Sequence, residues 1–277
     1  MINPIRFNQA IIEQKKQELD FLHHFSMKDY DLIDLPMIET FKWTNLSKDD
    51  LNLMENRHKW QHEGEILALR SDWTHAIVRY REKYHLHSEK IAYAGQVYTL
   101  NGEKHQLGLE IFTDDTEKQL HVLKEMIHYI QNELQVNLSV AVISHNSLLS
   151  QLLTEEEWHD PYTRKFINER NRDALRAKLG ADHPIVEFMG QQATKQTAYV
   201  KQHFPHLKSY IEEMEKWEAA LNQEQITYVY GDMLKLPSQS YYKGIFVQLY
   251  TENAIEPIAS GGQYSSPTDA FGMGLNI

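Results

Sequence analysis

The sequence of 277 residues contains no cysteine, so it can form neither disulfide bonds nor thiolate metal sites. It also has no apolar run of about 18 residues, the length that a membrane helix requires. Its amino terminus, Met1-Ile2-Asn3-Pro4, lacks a basic segment that leads into an apolar stretch. Neither a membrane span nor a signal peptide is supported, and we expect a cytoplasmic protein with no membrane partner.

Positive charge is scarce as well. Lys and Arg number 28 against 39 Asp and Glu, which gives a formal net charge of −11. Such a balance repels phosphate backbones unless basic residues are segregated on one face, and the sequence has no such segregation. We therefore expect no nucleic-acid partner. His58 and His62 have the i, i+4 spacing of a helical metal site, but no third ligand accompanies them, so we expect no metal.

The first part of the chain has the patterns of a mixed α+β protein. Apolar residues recur at helical spacing in residues 8–25, whereas residues 30–39 alternate like an edge strand that contains a proline. The dipeptide Asn101-Gly102 predicts a tight hairpin between two strands. Helix caps are predicted at Ser47-Lys48-Asp49-Asp50, Asp114-Asp115-Thr116-Glu117 and Thr154-Glu155-Glu156-Glu157.

The second part changes its pattern and then returns to strands. After a strand predicted at residues 138–144, the sequence is helical and polar from about residue 145 to 222. Strand patterns resume at residues 226–230, 241–250 and 255–260. We interpret the chain as a core (residues 1–144), a helical insertion (145–222) and a completion of the core (223–277).

Several motifs resemble one family. Residues 241–244 read Y-Y-K-G and residues 259–264 read A-S-G-G-Q-Y, which is similar to the Y-Y-T-G and A-S-G-G-R-Y of histidyl-tRNA synthetase, a class II aminoacyl-tRNA synthetase. Residues 66–74 resemble its L-A-L-R-P-E-G-T, and residues 105–110 resemble its H-Q-I-G-V-E. The resemblance implies an α+β fold, an antiparallel sheet flanked by helices with a helical insertion. It also implies that the strand at residues 30–39 lies in a homodimer interface.

The positions that handle ATP in this family are neutral here. Residues 93–101 resemble the family's motif 2, Y-x-G-x-x-F-R-x-E, whose arginine falls on Thr99 and whose glutamate falls on Asn101. By the resemblance, two further arginines fall on Pro237 and Ile277. Transfer at a phosphate requires positive charge aimed at the phosphate oxygens. We therefore expect no amino-acid activation, no cofactor and no catalytic residue.

The residues that resemble the family's amino-acid pocket are better preserved than those that resemble its ATP site. On a strand, residues four apart share one face, so Gln106 and Glu110 can present an amide and a carboxylate together. Such a pair can recognise an ammonium group or an imidazole N–H, and paired tyrosines can add a ring face. The resemblance implies a histidine site formed by Asp72, Thr74, Gln106, Glu110, Tyr241 and Tyr242.

A synthetase-like chain with a pocket and no ATP chemistry resembles the regulatory subunits of short-form ATP phosphoribosyltransferase. The resemblance implies a non-catalytic protein that forms a hetero-oligomer with the catalytic subunit, activates it and transmits feedback inhibition by histidine in histidine biosynthesis. Two alternatives remain open. One is a divergent synthetase paralogue that ligates an amino acid, and the other is a scaffold with a vestigial pocket.

Overall fold

The computed structural model describes residues 8–46, 50–51, 54–236, 241–265 and 268–277. The chain divides into two compact units. The first unit comprises Met1–Met126 and Ser265–Ile277, and the second comprises Ile127–Tyr264. The boundaries predicted from the sequence, at residues 144 and 222, stay a prediction.

The helices and strands follow one another along the whole described chain. The helices are α1 (Asn8–Ser26), α2 (Trp73–Tyr84), α3 (Thr116–His128), α4 (Asn146–Ser150), α5 (Glu155–His159), α6 (Pro161–Asn168), α7 (Arg172–Leu179), α8 (Pro184–Met189), α9 (Ala193–His203) and α10 (Lys208–Leu221). The strands are β1 (Asp31–Leu32), β2 (Ile38–Phe41), β3 (Lys59–His62), β4 (Glu65–Leu69), β5 (Lys90–Thr99), β6 (Gly102–Ile111), β7 (Leu138–His145), β8 (Tyr228–Gly231), β9 (Tyr242–Thr251), β10 (Ala259–Ser265) and β11 (Asp269–Asn276). The stretch predicted to be a helical insertion therefore carries α4 to α10.

The sheets are largely antiparallel. In the first unit, strands β2, β4 and β3 form a small antiparallel sheet, and neighbouring strands run in the order β1-β5-β6-β11. In the second unit the order is β10-β9-β7-β8. The pairs β1/β5 and β7/β8 are parallel, whereas β5/β6, β6/β11, β9/β10 and β7/β9 are antiparallel. The predicted α+β class with an antiparallel sheet and flanking helices is confirmed, with parallel pairs added at two edges.

The predicted hairpin is present at the end of β5. Thr99 pairs with Gly102, and the turn between them contains Leu100 and Asn101. Gly102 has a φ of +126°, which a residue without a Cβ adopts readily. The hairpin predicted from Asn101-Gly102 is therefore confirmed.

Residues 30–39 do not form the single strand that we predicted. They divide between β1 and β2, which belong to different sheets, and Pro36 lies in the connection. Proline has no backbone N–H to donate to a strand ladder. The carbonyl of Leu35 instead accepts a hydrogen bond from the buried guanidinium of Arg70 at 2.7 Å, which holds the connection in place.

Two of the three predicted helix caps are confirmed. The Asp115 carboxylate accepts from the backbone N–H of Glu117 at 2.9 Å, at the start of α3. Thr154 and Glu157 form a reciprocal capping box at the start of α5. The third cap, predicted at Ser47 to Asp50, falls largely on residues 47–49, outside the described residues. None of the helices in the described ranges is both long enough and apolar enough to cross a membrane.

Candidate functional site

Glu110, one of the predicted site residues, is completely buried. It stands on β6 opposite Gly272 of β11, and a Cβ at position 272 would lie only 2.0 Å from its Oε2. The hydroxyl of Thr74 donates to Oε1 at 2.5 Å. The absence of a side chain at Gly272 thus makes room for a carboxylate that is held by a hydroxyl group.

Asp72 has a structural role that the sequence did not predict. Its Oδ1 accepts from the backbone N–H of His75 at 2.7 Å and so caps the amino terminus of α2. Thr74 is the second residue of that helix. Asp72 therefore fixes the start of the helix that presents the Thr74 hydroxyl to Glu110.

Gln106 and Glu110 lie on the same strand, as predicted, with Gly108 between them. The amide of Gln106 donates to the Asn276 side chain at 3.1 Å. Tyr93 pairs with Gly108 across β5 and β6, and a Cβ at Gly108 would lie 2.2 Å from the tyrosine hydroxyl. Sequence reasoning missed Tyr93, although its place opposite Gly108 follows from the hairpin register.

A stack of three side chains continues from Tyr93. Its ring stacks on that of Trp73 at 4.7 Å between centroids, and the Arg70 guanidinium lies 3.5 Å from the Trp73 ring centroid. Arg70 also donates to the backbone carbonyls of Leu35 at 2.7 Å and Gln96 at 3.0 Å. Burial lowers its pKa. The guanidinium of Arg70 is therefore hydrogen-bonded to main-chain oxygens.

The described positions that match ATP-handling residues of the resemblance carry neutral side chains. Thr99 donates its hydroxyl to the carbonyl of Gly102 at 3.1 Å and so closes the hairpin. The backbone N–H of Ile277 donates to the carbonyl of His105 at 3.0 Å. Asn101 lies exposed in the turn, and Pro237 lies outside the described residues. None of the described positions supplies a cation.

The paired tyrosines belong to the second unit. The rings of Tyr241 and Tyr242 lie 4.6 Å apart between centroids, and Tyr241 meets the edge of Tyr264 at 5.9 Å. Tyr242 and Tyr264 are directly paired across β9 and β10, and both are buried. Sequence reasoning did not include Tyr264, although it ends the A-S-G-G-Q-Y motif.

The predicted residues thus divide between the units. In the first unit the structure joins Thr74 to Glu110, places Asp72 at the start of the same helix and puts Gln106 on the same strand as Glu110. In the second unit it joins Tyr241 to Tyr242. A histidine-binding role for the six residues stays a prediction.

A buried ionic cluster in the first unit was not predicted. Arg57 donates to Glu39 at 2.7 Å, Arg79 donates to the same carboxylate at 3.1 Å, and His75 lies 3.3 Å from Asp50. Burial raises the pKa of Glu39 in spite of its two arginine partners. Burial, with the charge of Arg57, lowers the pKa of His75 to about 4, so its imidazole is neutral at pH 7.

The two histidines considered for a metal do not share a helix face. His58 contacts the carbonyl of Thr99 at 3.1 Å, and His62 ends β3. Across the ranges that the structure describes, no group of three or more His, Asp or Glu side chains is arranged to hold a metal ion.

Comparison with known proteins identifies relatives along almost the whole chain. The family model for histidyl-tRNA synthetase matches residues 10–276. An ATP phosphoribosyltransferase regulatory subunit from Staphylococcus aureus (strain Newman) is 31% identical over 270 residues, which cover 98% of this chain and 99% of the relative. The similarity therefore extends from end to end in both proteins.

Two solved structures of named proteins share the fold of this chain. An ATP phosphoribosyltransferase regulatory subunit/histidyl-tRNA synthetase from Bacillus halodurans C has a TM-score of 0.77 at 20% identity, with 99% of this chain and 80% of that chain covered. A chain of the ATP phosphoribosyl transferase (HisG:HisZ) complex from Thermotoga maritima has a TM-score of 0.72 at 17% identity, with 94% and 96% covered. At these identities the likeness establishes the fold.

Proposed function

The chain belongs to the histidyl-tRNA synthetase family, and on that basis we propose that it is a non-catalytic regulatory subunit of ATP phosphoribosyltransferase. The observation that carries the proposal is the match to the S. aureus regulatory subunit, which spans 98% of this chain and 99% of the relative. A similarity of that extent leaves almost no part of either protein unaligned.

The chemistry of the site supports a non-catalytic role. Activation of an amino acid brings two anions together, and negative charge then develops on phosphorus, so cations must be aimed at the phosphate oxygens. Thr99 and Ile277 are neutral, and Arg70 donates to main-chain carbonyls. A synthetase paralogue with ligase activity is therefore the weaker interpretation.

The proposed partner is the short catalytic subunit of the same enzyme, with which the chain forms a hetero-oligomer in the cytoplasm. The proposed effector is histidine, bound by Asp72, Thr74, Gln106, Glu110, Tyr241 and Tyr242. Binding there would inhibit a reaction carried out on another chain, which is an allosteric coupling between two sites. This role makes the chain the sensor for feedback inhibition of the first step of histidine biosynthesis.

Reconstitution of the complex tests this function. The purified chain is titrated into the catalytic subunit from the same organism, and phosphoribosyl transfer to ATP is measured with and without histidine. We expect low activity for the catalytic subunit alone, a rise on addition of this chain, and inhibition by histidine only in the complex. Unchanged activity at every ratio of the two chains would refute the regulatory role.

A second assay separates the regulatory subunit from a synthetase paralogue. The purified chain is incubated with histidine, ATP and labelled pyrophosphate, and the exchange of label into ATP is followed. We expect exchange no faster than in a control without protein, because no cation is present at Thr99 or Ile277. Clear histidine-dependent exchange would instead support a synthetase paralogue with ligase activity.

A further inference from the structure

Glu213 connects the last helix of the predicted insertion to two strands of the second unit. It lies on α10, and its Oε2 is 3.1 Å from Nε2 of His145, at the end of β7. Its Oε1 accepts from the amide of Gln263 on β10 at 3.0 Å. These hydrogen bonds, that of His145 first, lower the pKa of Glu213 and keep it ionised at pH 7. One carboxylate is thus fixed from two directions.

Gln263 links Glu213 to the first residues of β9. Its Oε1 accepts the backbone N–H of Ile245 at 2.7 Å while its amide nitrogen donates to Glu213. A Cβ at Gly244 would lie 2.0 Å from the same Oε1. The glycine that follows Tyr241-Tyr242-Lys243 therefore makes room for the Gln263 side chain against the backbone of β9.

His145 reaches the same segment from the other neighbouring strand. Its Nδ1 accepts the backbone N–H of Leu148, so in the neutral ring Nε2 carries the hydrogen and donates to Glu213. The next residue, Asn146, donates its side-chain amide to the carbonyl of Tyr242. The first residue of α4, which His145 caps, thus holds the backbone of Tyr242 directly.

We propose that Glu213 is a positioning residue for the Tyr241-Tyr242 pair, acting through His145 and Gln263 on the two strands that flank β9. In its effect on ligand affinity the inference rests on the proposed function, because the tyrosines are assigned there to the histidine site. Helix α10 then sets how well the tyrosines are placed to receive the effector. The insertion becomes part of the regulation of that site without touching the ligand.

An exchange of the two side chains provides the test. In Glu213→Gln the new amide nitrogen faces the amide nitrogen of Gln263, so two hydrogen-bond donors meet. In Gln263→Glu two carboxylates face each other, so two acceptors meet. The double variant Glu213→Gln with Gln263→Glu restores all three hydrogen bonds, with the bond between positions 213 and 263 reversed in direction. Glu212→Gln is the matched control, since it removes a neighbouring charge on α10 that pairs only with exposed Lys208 in the described contacts.

Two measurements are made on the full-length chain, and the thermal unfolding midpoint of each variant is recorded beside them. Calorimetric titration with L-histidine, in the complex with the catalytic subunit, should show each single variant about tenfold weaker than wild type and the double variant within about threefold of it. Hydrogen–deuterium exchange of the peptide 241–246 should be faster in the single variants and return to the wild-type rate in the double variant. Glu212→Gln should match wild type in both.

The outcomes separate this inference from the proposed function. Wild-type protein that binds no histidine would remove the effector role, while exchange of the 241–246 peptide would still decide whether Glu213 positions the tyrosines. Single variants with wild-type exchange in that peptide and wild-type affinity would overturn the inference alone. So would a double variant that regains thermal stability without regaining either readout, because Glu213 would then serve stability only.

Discussion

At the scale of single residues, the environment of Glu110 determines what this side chain can contribute. The carboxylate is fully buried, and in the described structure the hydroxyl of Thr74 donates to it at 2.5 Å. A buried carboxylate needs hydrogen-bond donors to offset the loss of water. A ligand N–H that reaches Glu110 would therefore join a carboxylate that is already oriented.

Replacement of Glu110 by Gln should weaken the proposed feedback inhibition by histidine. A hydrogen bond to a charged group contributes about 1.5–3 kcal/mol, so the histidine concentration for half inhibition should rise roughly ten- to a hundredfold. Activation by the subunit should persist, because it depends on assembly. Inhibition curves of the reconstituted complex measure both. The matched control is Glu103→Gln, on the exposed part of the same strand, and an unmoved curve for Glu110→Gln would place the sensor site elsewhere.

His75 should make the first unit sensitive to acid. Its pKa is lowered to about 4 in the folded chain, mainly by burial, against a model-peptide value of about 6.5. Since the unfolded chain binds the proton more readily, stability is full above about pH 6.5 and falls as the pH drops towards 4. The imidazole alone should lower the free energy of unfolding by roughly 2 kcal/mol between pH 7 and pH 5.

Urea unfolding of wild type and His75→Gln at pH 7 and pH 5 checks this expectation. The variant should lose less stability than wild type over the same interval, because glutamine does not titrate. His121→Gln, at an exposed histidine, provides the control and should lose as much stability as wild type between pH 7 and pH 5. Equal losses in wild type and His75→Gln would contradict the assignment.

At the scale of elements, the pairing of β9 with β10 depends on close backbone approach. A Cβ at Gly262 would lie 2.5 Å from the backbone carbonyl oxygen of Ile245 and 3.0 Å from the Cα of Phe246. Backbone atoms cannot rotate away as a flexible side chain can. The two strands must therefore separate to accept any larger residue there.

The variant Gly262→Ala should lower the free energy of unfolding by about 1–3 kcal/mol, the usual range for overpacking. Gly231→Ala serves as its control, since the nearest atom to a Cβ there is the flexible Met214 methyl at 3.2 Å. Chemical denaturation of both variants gives the comparison. A loss for Gly231→Ala as large as that for Gly262→Ala would show that close strand approach is not the cause.

Local signals in the sequence were sufficient for elements that depend on neighbouring residues. The Asn101-Gly102 turn and the Thr154 capping box are each set within a few residues, and both were predicted correctly. The division of residues 30–39 into two strands was not foreseen, because it depends on Arg70, which reaches the Leu35 carbonyl from far along the chain. Sequence alone gives no distance between such groups.

The candidate site was predictable in its residue types and less so in their roles. The resemblance pointed to Asp72 and Glu110 as ligands, but the capping bond from Asp72 to His75 appears only in the folded chain. Tyr93 was missed because its position above Gly108 requires the register of β5 with β6. Side-chain direction, which the strand period fixes only after the register is known, was the missing information.

At the scale of the whole molecule, one face of the small sheet in the first unit carries four neighbouring apolar side chains that are exposed or half-buried. Ile38 on β2 and Trp60 on β3 flank β4, where Leu67 and Leu69 are half-buried, and the registers place all four side chains on one face. Ile38 is 48% exposed and Trp60 42% exposed. A contiguous apolar surface of this kind is typical of a protein interface. It supports the predicted homodimer, since the first two residues of β2 belong to the stretch 30–39 that the resemblance assigns to a dimer interface.

Light scattering on the isolated subunit should therefore give the mass of a dimer at micromolar concentration. A charge in the centre of the contact removes apolar burial and leaves an unpaired buried carboxylate, so Trp60→Glu should shift the mass towards the monomer. Tyr230→Glu, at an aromatic residue on β8 that is 49% exposed against 42% for Trp60, should remain dimeric. A stable wild-type monomer, or a dimer that survives Trp60→Glu, would place the contact elsewhere.

The short hairpin at the end of β5 also limits how this chain can evolve. Thr99 bonds across the turn to Gly102, with only Leu100 and Asn101 between them. Restoring an arginine at position 99 would remove that bond, leave the turn as short as before and still leave positions 101 and 277 neutral. A return to amino-acid activation would therefore need several coordinated changes with no gain at the intermediate stages. No single substitution at this turn is therefore expected to give the chain amino-acid activation.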